Sequence, residues 1–159
     1  MIGIYLLLGS NMGDRERCLR AAQEHLEQRV GKVYSVSSIY QTEAWQMNGA
    51  PDFLNKVLLI NSSLEPLKVL AEIIKIETGL GRIRKEGYQN RSIDIDILYY
   101  NNIVLNHPDL TIPHPRISQR RFVLEPLAEI APDFVHPQLG LTNEQMLKQC
   151  RDPLAVAKL

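Results

Sequence analysis

The hydrophobic pattern changes period several times along the chain, and each change marks an element. "IGIYLLL" (2–8) is a continuous β-rich apolar run that ends in the turn signal "GSNMGD". Cys18, Leu19, Ala22, Leu26 and Val30 then recur at helical spacing, so strand, loop and amphipathic helix follow in order. "KVYSVSSIY" (32–40) and "FLNKVLLINSS" (53–63) are rich in β-branched and aromatic residues, with Gly49 and Pro51 between them, and predict two more strands. Pro66 suits the first turn of a second helix, carried by Leu67, Leu70, Ile73, Ile74 and Glu77 and stopped by Gly79. In "RSIDIDILYY" (91–100), Ile93, Ile95 and Ile97 share one face of a strand, while Asp94 and Asp96 share the other. "NN" then turns the chain into a short hairpin partner, "IVLN".

The resulting order, βαββαβ, predicts an α+β fold and matches a ferredoxin-like core, a mostly antiparallel sheet carrying helices on one face, with other α+β topologies left open. "FVLEPLAEIA" predicts a short helix interrupted by Pro126 and stopped by Pro132. Thr142 and Gln145 form a capping-box pattern for a last helix. With 159 residues and no linker or repeat, a single domain over 1–159 is expected.

Charge narrows the partners. Eighteen basic and 18 acidic side chains balance to zero, so nothing drives the whole surface toward nucleic acid or a membrane, and any anion site is local. Cys18 and Cys150 have neither metal-ligand spacing nor disulfide-framework density. The N-terminal apolar run lacks a basic flank and falls far short of a membrane span of about 20 residues. A soluble, cytoplasmic protein is expected.

The two aspartates carry the chemistry. At about 3.3 Å of rise per residue, side chains two apart sit roughly 6.5–7 Å from each other. Left alone on a half-buried face, the carboxylates would repel; a divalent cation or a close metal pair between them removes the conflict, and Mg²⁺ suits oxygen ligands shared with phosphates. The bland alternative is a strand with one wet face. Upstream, however, Arg82, Arg84, Lys85 and Arg91 lie on a stretch punctuated by Gly79, Gly81 and Gly87. Arginine forks beside a metal-binding acid pair suit a polyphosphate. No P-loop is present. Phe53 and Asn55 share a strand face and offer a ring and an amide to a flat heterocycle, although Phe in a strand is more often core. "TIPHPRISQRRF" sets His114 between prolines, where a structural hydrogen-bonding role is an equal alternative, followed by Arg116, Arg120 and Arg121, which repeat the anion theme.

With these residues assembled, the sequence resembles the 6-hydroxymethyl-7,8-dihydropterin pyrophosphokinases of folate biosynthesis. The likeness runs in order through "LLLGSNMGDRE", "SSIYQTEAW", "DFLNKV", "IETGLGRIR", "RSIDIDIL", "TIPHPR" and "QRRFVLEPLAEIAP". The resemblance implies a monomer that moves the β,γ-pyrophosphoryl group of ATP to the pterin hydroxymethyl group, leaving AMP. It further implies that Asp94 and Asp96 hold two Mg²⁺ ions and that Arg82, Arg84 and Arg91 stabilise the migrating phosphates. Glu77, Arg84, Arg91, Ile97, Thr111, His114 and Arg120 fall where the family contacts ATP. Thr42, Trp45, Phe53, Asn55 and Phe122 fall where it holds the pterin. Gly9, Ser10 and Asn11 form a family mark read as shaping the first strand's exit. Gln89 and Asn90 stand where the family usually has Gly-Pro, and Ile74 where it often has glutamine. The competing readings are another metal-dependent nucleotidyl or phosphoryl transferase and a non-enzymatic small-molecule-binding module.

Overall fold

The N-terminal apolar run forms β1 (Ile2–Ser10) of a computed structural model that describes residues 2–43, 52–81 and 93–159. Helix α1 (Arg15–Arg29) starts at Asp14, whose carboxylate accepts the Arg17 N–H at 3.1 Å and so satisfies one of the donors a helix start leaves over. The alternating stretch that follows makes two strands, β2 (Lys32–Val36) and β3 (Tyr40–Thr42), rather than one. Ser37 causes the break: its hydroxyl takes the Val57 N–H at 2.9 Å, and a side chain replaces the backbone acceptor in the ladder. Next come β4 (Phe53–Ser62) and α2 (Pro66–Gly79), with Pro66 in the first turn.

Strand β5 (Asp94–Tyr100) pairs with β1, and β1 with β4, which in turn takes β2 and β3, all antiparallel. With β2 and β3 counted as one split strand, this is the ferredoxin-like order. "IVLN" does not return to β5: its β6 (Leu105–His107) pairs with β7 (Leu110–Ile112) in a separate hairpin, so among the described residues β5 stays at the sheet edge. A 3-10 turn (Ile117–Gln119) leads into α3 (Arg121–Ile130), then α4 (Asn143–Gln149) and a last strand, β8 (Val156–Lys158), that pairs with β3. Both reciprocal bonds of the Thr142–Gln145 capping box form, at 3.1 and 2.9 Å.

The two helices of the ferredoxin-like core share one face, as expected, with α1 and α2 on Ile4, Leu6 and Leu8, whereas the C-terminal α3 and α4 cover the other, on Tyr5, Leu7 and Val57. An apolar run at every position of β1 has this cause, since a strand buried on both faces loses its alternation. One expectation is corrected: helix α3 runs through Pro126 instead of being interrupted there. The proline forgoes a bond to the Phe122 carbonyl, a cost of about 3 kcal/mol in a helix interior. Burial of Val123, Leu124, Pro126 and Leu127 against the sheet opposes that cost.

The second face is sealed by aromatic and polar contacts together. Tyr5, Tyr99 and Phe134 pack ring on ring, and the Tyr99 hydroxyl donates to Asn143 Oδ1 at 2.8 Å. The Asn143 amide passes a further bond to the Ala131 carbonyl at 2.8 Å, tying α4 to the end of α3. Among the described residues no helix is long and apolar enough to cross a membrane.

Candidate active site

Register decides which side chains meet. Gly9 of β1 lies between Asp94 of β5 and Asn55 of β4, and Leu7 pairs with Asp96 in the next row. All of these face α3, whereas Ile93, Ile95 and Ile97 join the core under α1 and α2, as the alternation predicts. Leu98 is a bulge residue between the Leu6–Ile97 and Tyr5–Tyr99 pairs, so Leu98 and Tyr99 both reach the α3 side. Beyond them the face is sealed by α3 and α4; at the aspartate end it opens into a cavity of about 590 Å³.

Gly9 makes the floor of that cavity. A Cβ placed on it would lie 2.6 Å from Asn55 Oδ1, so the Asn55 amide rests across the bare backbone. Asn55 is 4% exposed and Thr42 3%, and the Thr42 hydroxyl is a buried polar oxygen with no hydrogen-bond partner among the described residues. A buried oxygen left unpaired in a cavity is where a polar ligand atom belongs. Phe53 from β4 and Phe122 from α3 supply rings to the walls, and Arg120 stacks 5.6 Å over the Phe122 ring.

A second cavity, about 280 Å³, lies against the β5 edge, bounded by Leu70 of α2 and by Ile97, Thr111 and His114. The Ile95 N–H points away from β1, toward Glu77, and the alternation of a strand gives Ile97 the same outward N–H and C=O. That edge can read the hydrogen-bonding edge of a base. Burial pushes the His114 pKa down and the charges of Arg120 and Arg116 push the same way, against the pull of Asp96. Its Nδ1 accepts the Arg116 N–H at 3.2 Å, which leaves the neutral ring's proton on Nε2. Asp96 lines both cavities.

Of the residues singled out in the sequence, Thr42, Phe53, Asn55, Asp94, Arg120 and Phe122 converge on the larger cavity, and Ile97, Thr111 and His114 on the smaller. Asp96 stands at the junction. Glu77 lines neither: it is 5% exposed, and its carboxylate takes the Ile95 N–H at 2.9 Å, between the two aspartates. Trp45, Arg82, Arg84 and Arg91 lie outside the described residues. Arg121, grouped with the anion-binding arginines by sequence, turns instead to the C-terminal segment and donates to the Cys150 carbonyl at 3.0 Å. Asp152, Pro153 and Leu154 also line the larger cavity, and no sequence signal pointed to them.

The donor set fits Mg²⁺. Among the described residues no group of three or more His, Cys, Asp or Glu side chains is placed to hold a metal. Two carboxylates at a cavity junction match an ion that takes one or two of them and completes its shell with water and phosphate oxygens.

Comparison with known proteins identifies the family. The family model of 7,8-dihydro-6-hydroxymethylpterin-pyrophosphokinase matches residues 5–132. A Porphyromonas gingivalis protein named 2-amino-4-hydroxy-6-hydroxymethyldihydropteridine pyrophosphokinase is 42% identical over 144 residues, covering 88% of this chain and 97% of its own. The Haemophilus influenzae protein of the same name is 37% identical over 153 residues, 96% of this chain and 95% of its own. In three dimensions, wild-type Plasmodium falciparum HPPK-DHPS superposes with a TM-score of 0.75 at 17% identity, over 93% of this chain. This chain spans only 44% of that larger one, and at such identity the likeness speaks to the fold alone. The chain belongs to the 7,8-dihydro-6-hydroxymethylpterin-pyrophosphokinase family.

Proposed function

We propose that the chain, as a soluble cytoplasmic monomer, transfers the β,γ-pyrophosphoryl group of ATP to the hydroxymethyl group of 6-hydroxymethyl-7,8-dihydropterin, in folate biosynthesis. The observation that carries this reading is the place of Asp96 at the meeting of two cavities, one suited to a flat polar heterocycle and one to a nucleotide. In the larger cavity the pterin ring stacks between Phe53 and Phe122, and its polar edge meets the Asn55 amide and the unpaired Thr42 hydroxyl. In the smaller, the base lies against Leu70 and the Ile97 backbone, and His114 Nε2 and Thr111 face the phosphates. Arg82, Arg84 and Arg91 supply the remaining countercharge, and Trp45 is assigned to pterin binding.

Asp94 and Asp96 would hold two Mg²⁺ ions. Their chemistry, when bound, is to neutralise phosphate charge and to acidify the substrate hydroxyl. The chain's residues do the rest by position. Rings and amide hold the hydroxymethyl oxygen in line with the β-phosphorus, and the ring walls exclude water that would otherwise compete as acceptor. The new bond joins that oxygen to the β-phosphorus. The bond from the β-phosphorus to the α,β-bridging oxygen breaks, AMP leaves, and the hydroxyl proton passes to phosphate or solvent. No side chain is assigned as general base.

Incubation with ATP, Mg²⁺ and the hydroxymethyl dihydropterin should give AMP and the pterin pyrophosphate in equal amounts. Formation of ADP, or of free pyrophosphate with a nucleotidylated pterin, would overturn the reading.

A further inference from the structure

Helix α3 begins without help from its own sequence. Arg120 at its N-cap makes no side-chain capping bond, yet the next two residues include Phe122, a wall of the larger cavity. The missing cap comes from about thirty residues downstream. Asp152 Oδ2 accepts the N–H of Arg121, the first residue of α3, at 3.0 Å, and Asp152 Oδ1 accepts the Leu154 N–H at 3.0 Å. Both carboxylate oxygens are thus used, and the negative charge sits at the positive end of the helix. Arg121 closes the loop from the other side, its guanidinium donating to the carbonyls of Cys150 at 3.0 Å and Asp152 at 3.4 Å.

The same segment continues along the cavity. Pro153 and Leu154 line it, and Val156 then pairs with Thr42 as β8 joins β3. One short stretch therefore links the Phe122 wall to the Thr42 rim.

We propose that this segment is part of the pterin site and that Asp152 is a positioning residue, capping α3 from a distance so that the Phe122 ring and Leu154 stand at fixed places around the heterocycle. The assignment rests on the pterin reading of the larger cavity. It predicts a ligand-selective effect, because none of Arg121, Phe122, Asp152, Pro153 and Leu154 lines the nucleotide cavity against β5.

The test compares wild type with Asp152→Ala, Asp152→Asn and Leu154→Ala by equilibrium binding of the hydroxymethyl dihydropterin and, separately, of a non-hydrolysable ATP analogue with Mg²⁺. Asp152→Ala should weaken pterin binding about tenfold and leave the analogue within about twofold. Asp152→Asn, which keeps one acceptor oxygen, should recover part of the loss. Leu154→Ala leaves the cap intact and should still weaken pterin binding, so the proposal remains testable if Asp152→Ala fails to fold. Equal losses for both ligands, or pterin affinity unchanged in all three variants, would overturn it. Failure of the wild-type protein to bind the pterin would instead overturn the underlying functional reading.

Discussion

Adding one methyl group at Gly9 tests the geometry of the larger cavity most directly. The Cβ of Gly9→Ala would lie 2.6 Å from Asn55 Oδ1, whereas its distances to Asn55 Cγ and the Leu54 carbonyl, 3.8 and 4.0 Å, are ordinary contacts. The one serious clash is with the amide oxygen, which must move by about 0.8 Å or more to reach van der Waals separation. Rotation of the amide withdraws it from the pterin edge it is proposed to bind. Losing that pairing in a buried site costs about 1–3 kcal/mol, or roughly 5- to 150-fold in the pterin dissociation constant. Gly9 has no positive φ, so alanine brings no backbone strain and the melting temperature should change little. Calorimetric titration of wild type, Gly9→Ala, Asn55→Ala and the double variant closes a cycle. Since Gly9 acts through Asn55, the alanine at 9 should have little further effect once Asn55 is already alanine. An equal loss in both backgrounds, or no loss in the first, would refute the argument that Gly9 is required to seat the amide.

Asp96→Ala should abolish AMP formation with the fold intact, and Asp94→Ala should do so to a similar or lesser degree; near wild-type turnover at saturating Mg²⁺ in either would sink the metal assignment, and loss of Mn²⁺ binding by the nucleotide complex provides a readout independent of turnover. Asn143→Ala strands the buried Tyr99 hydroxyl and the Ala131 carbonyl, so urea unfolding should show a loss of about 2–4 kcal/mol, and a loss under about 1 kcal/mol would show that the network is not holding α4 in place. Burial holds the pKa of His136 below its ordinary value of 6.5, and its Nδ1 accepts the N–H groups of Gln138 and Leu139. The unfolded chain then takes up a proton that the folded one resists, so this contribution is present above about pH 6.5 and is lost as pH falls from there toward the folded-state value. Urea midpoints should therefore drop between about pH 7.5 and 5.5, and less steeply in His136→Gln; parallel profiles would exclude His136 as a source.

Much of this was legible because it depends on neighbours in sequence. A helix face, a capping box and a strand's two faces are set by spacing within a few residues, so α1, α2, α4 and the split between isoleucines and aspartates on β5 could all be read directly. The βαββαβ order likewise followed from the succession of periods. The ordered motifs also brought the family within reach, because no single short pattern had to carry it.

What the sequence could not supply depends on contacts between distant segments. The "IVLN" hairpin chose β7 over β5, and among the described residues this leaves β5 as the edge strand beside the smaller cavity. Helix α3 tolerates Pro126 because the sheet's second face rewards its burial, a term invisible in local propensity. Arg121 reads like its neighbour Arg120 in the chain, but one lies along the cavity and the other grips residues 150–152. Gly9 is an ordinary turn glycine until β4 lays Asn55 across it. Sequence by itself determined the elements, their faces and the kinds of side chain available for chemistry. Tertiary structure alone decided which of them share a cavity, because register and long-range capping are settled only when segments far apart in the chain pack together.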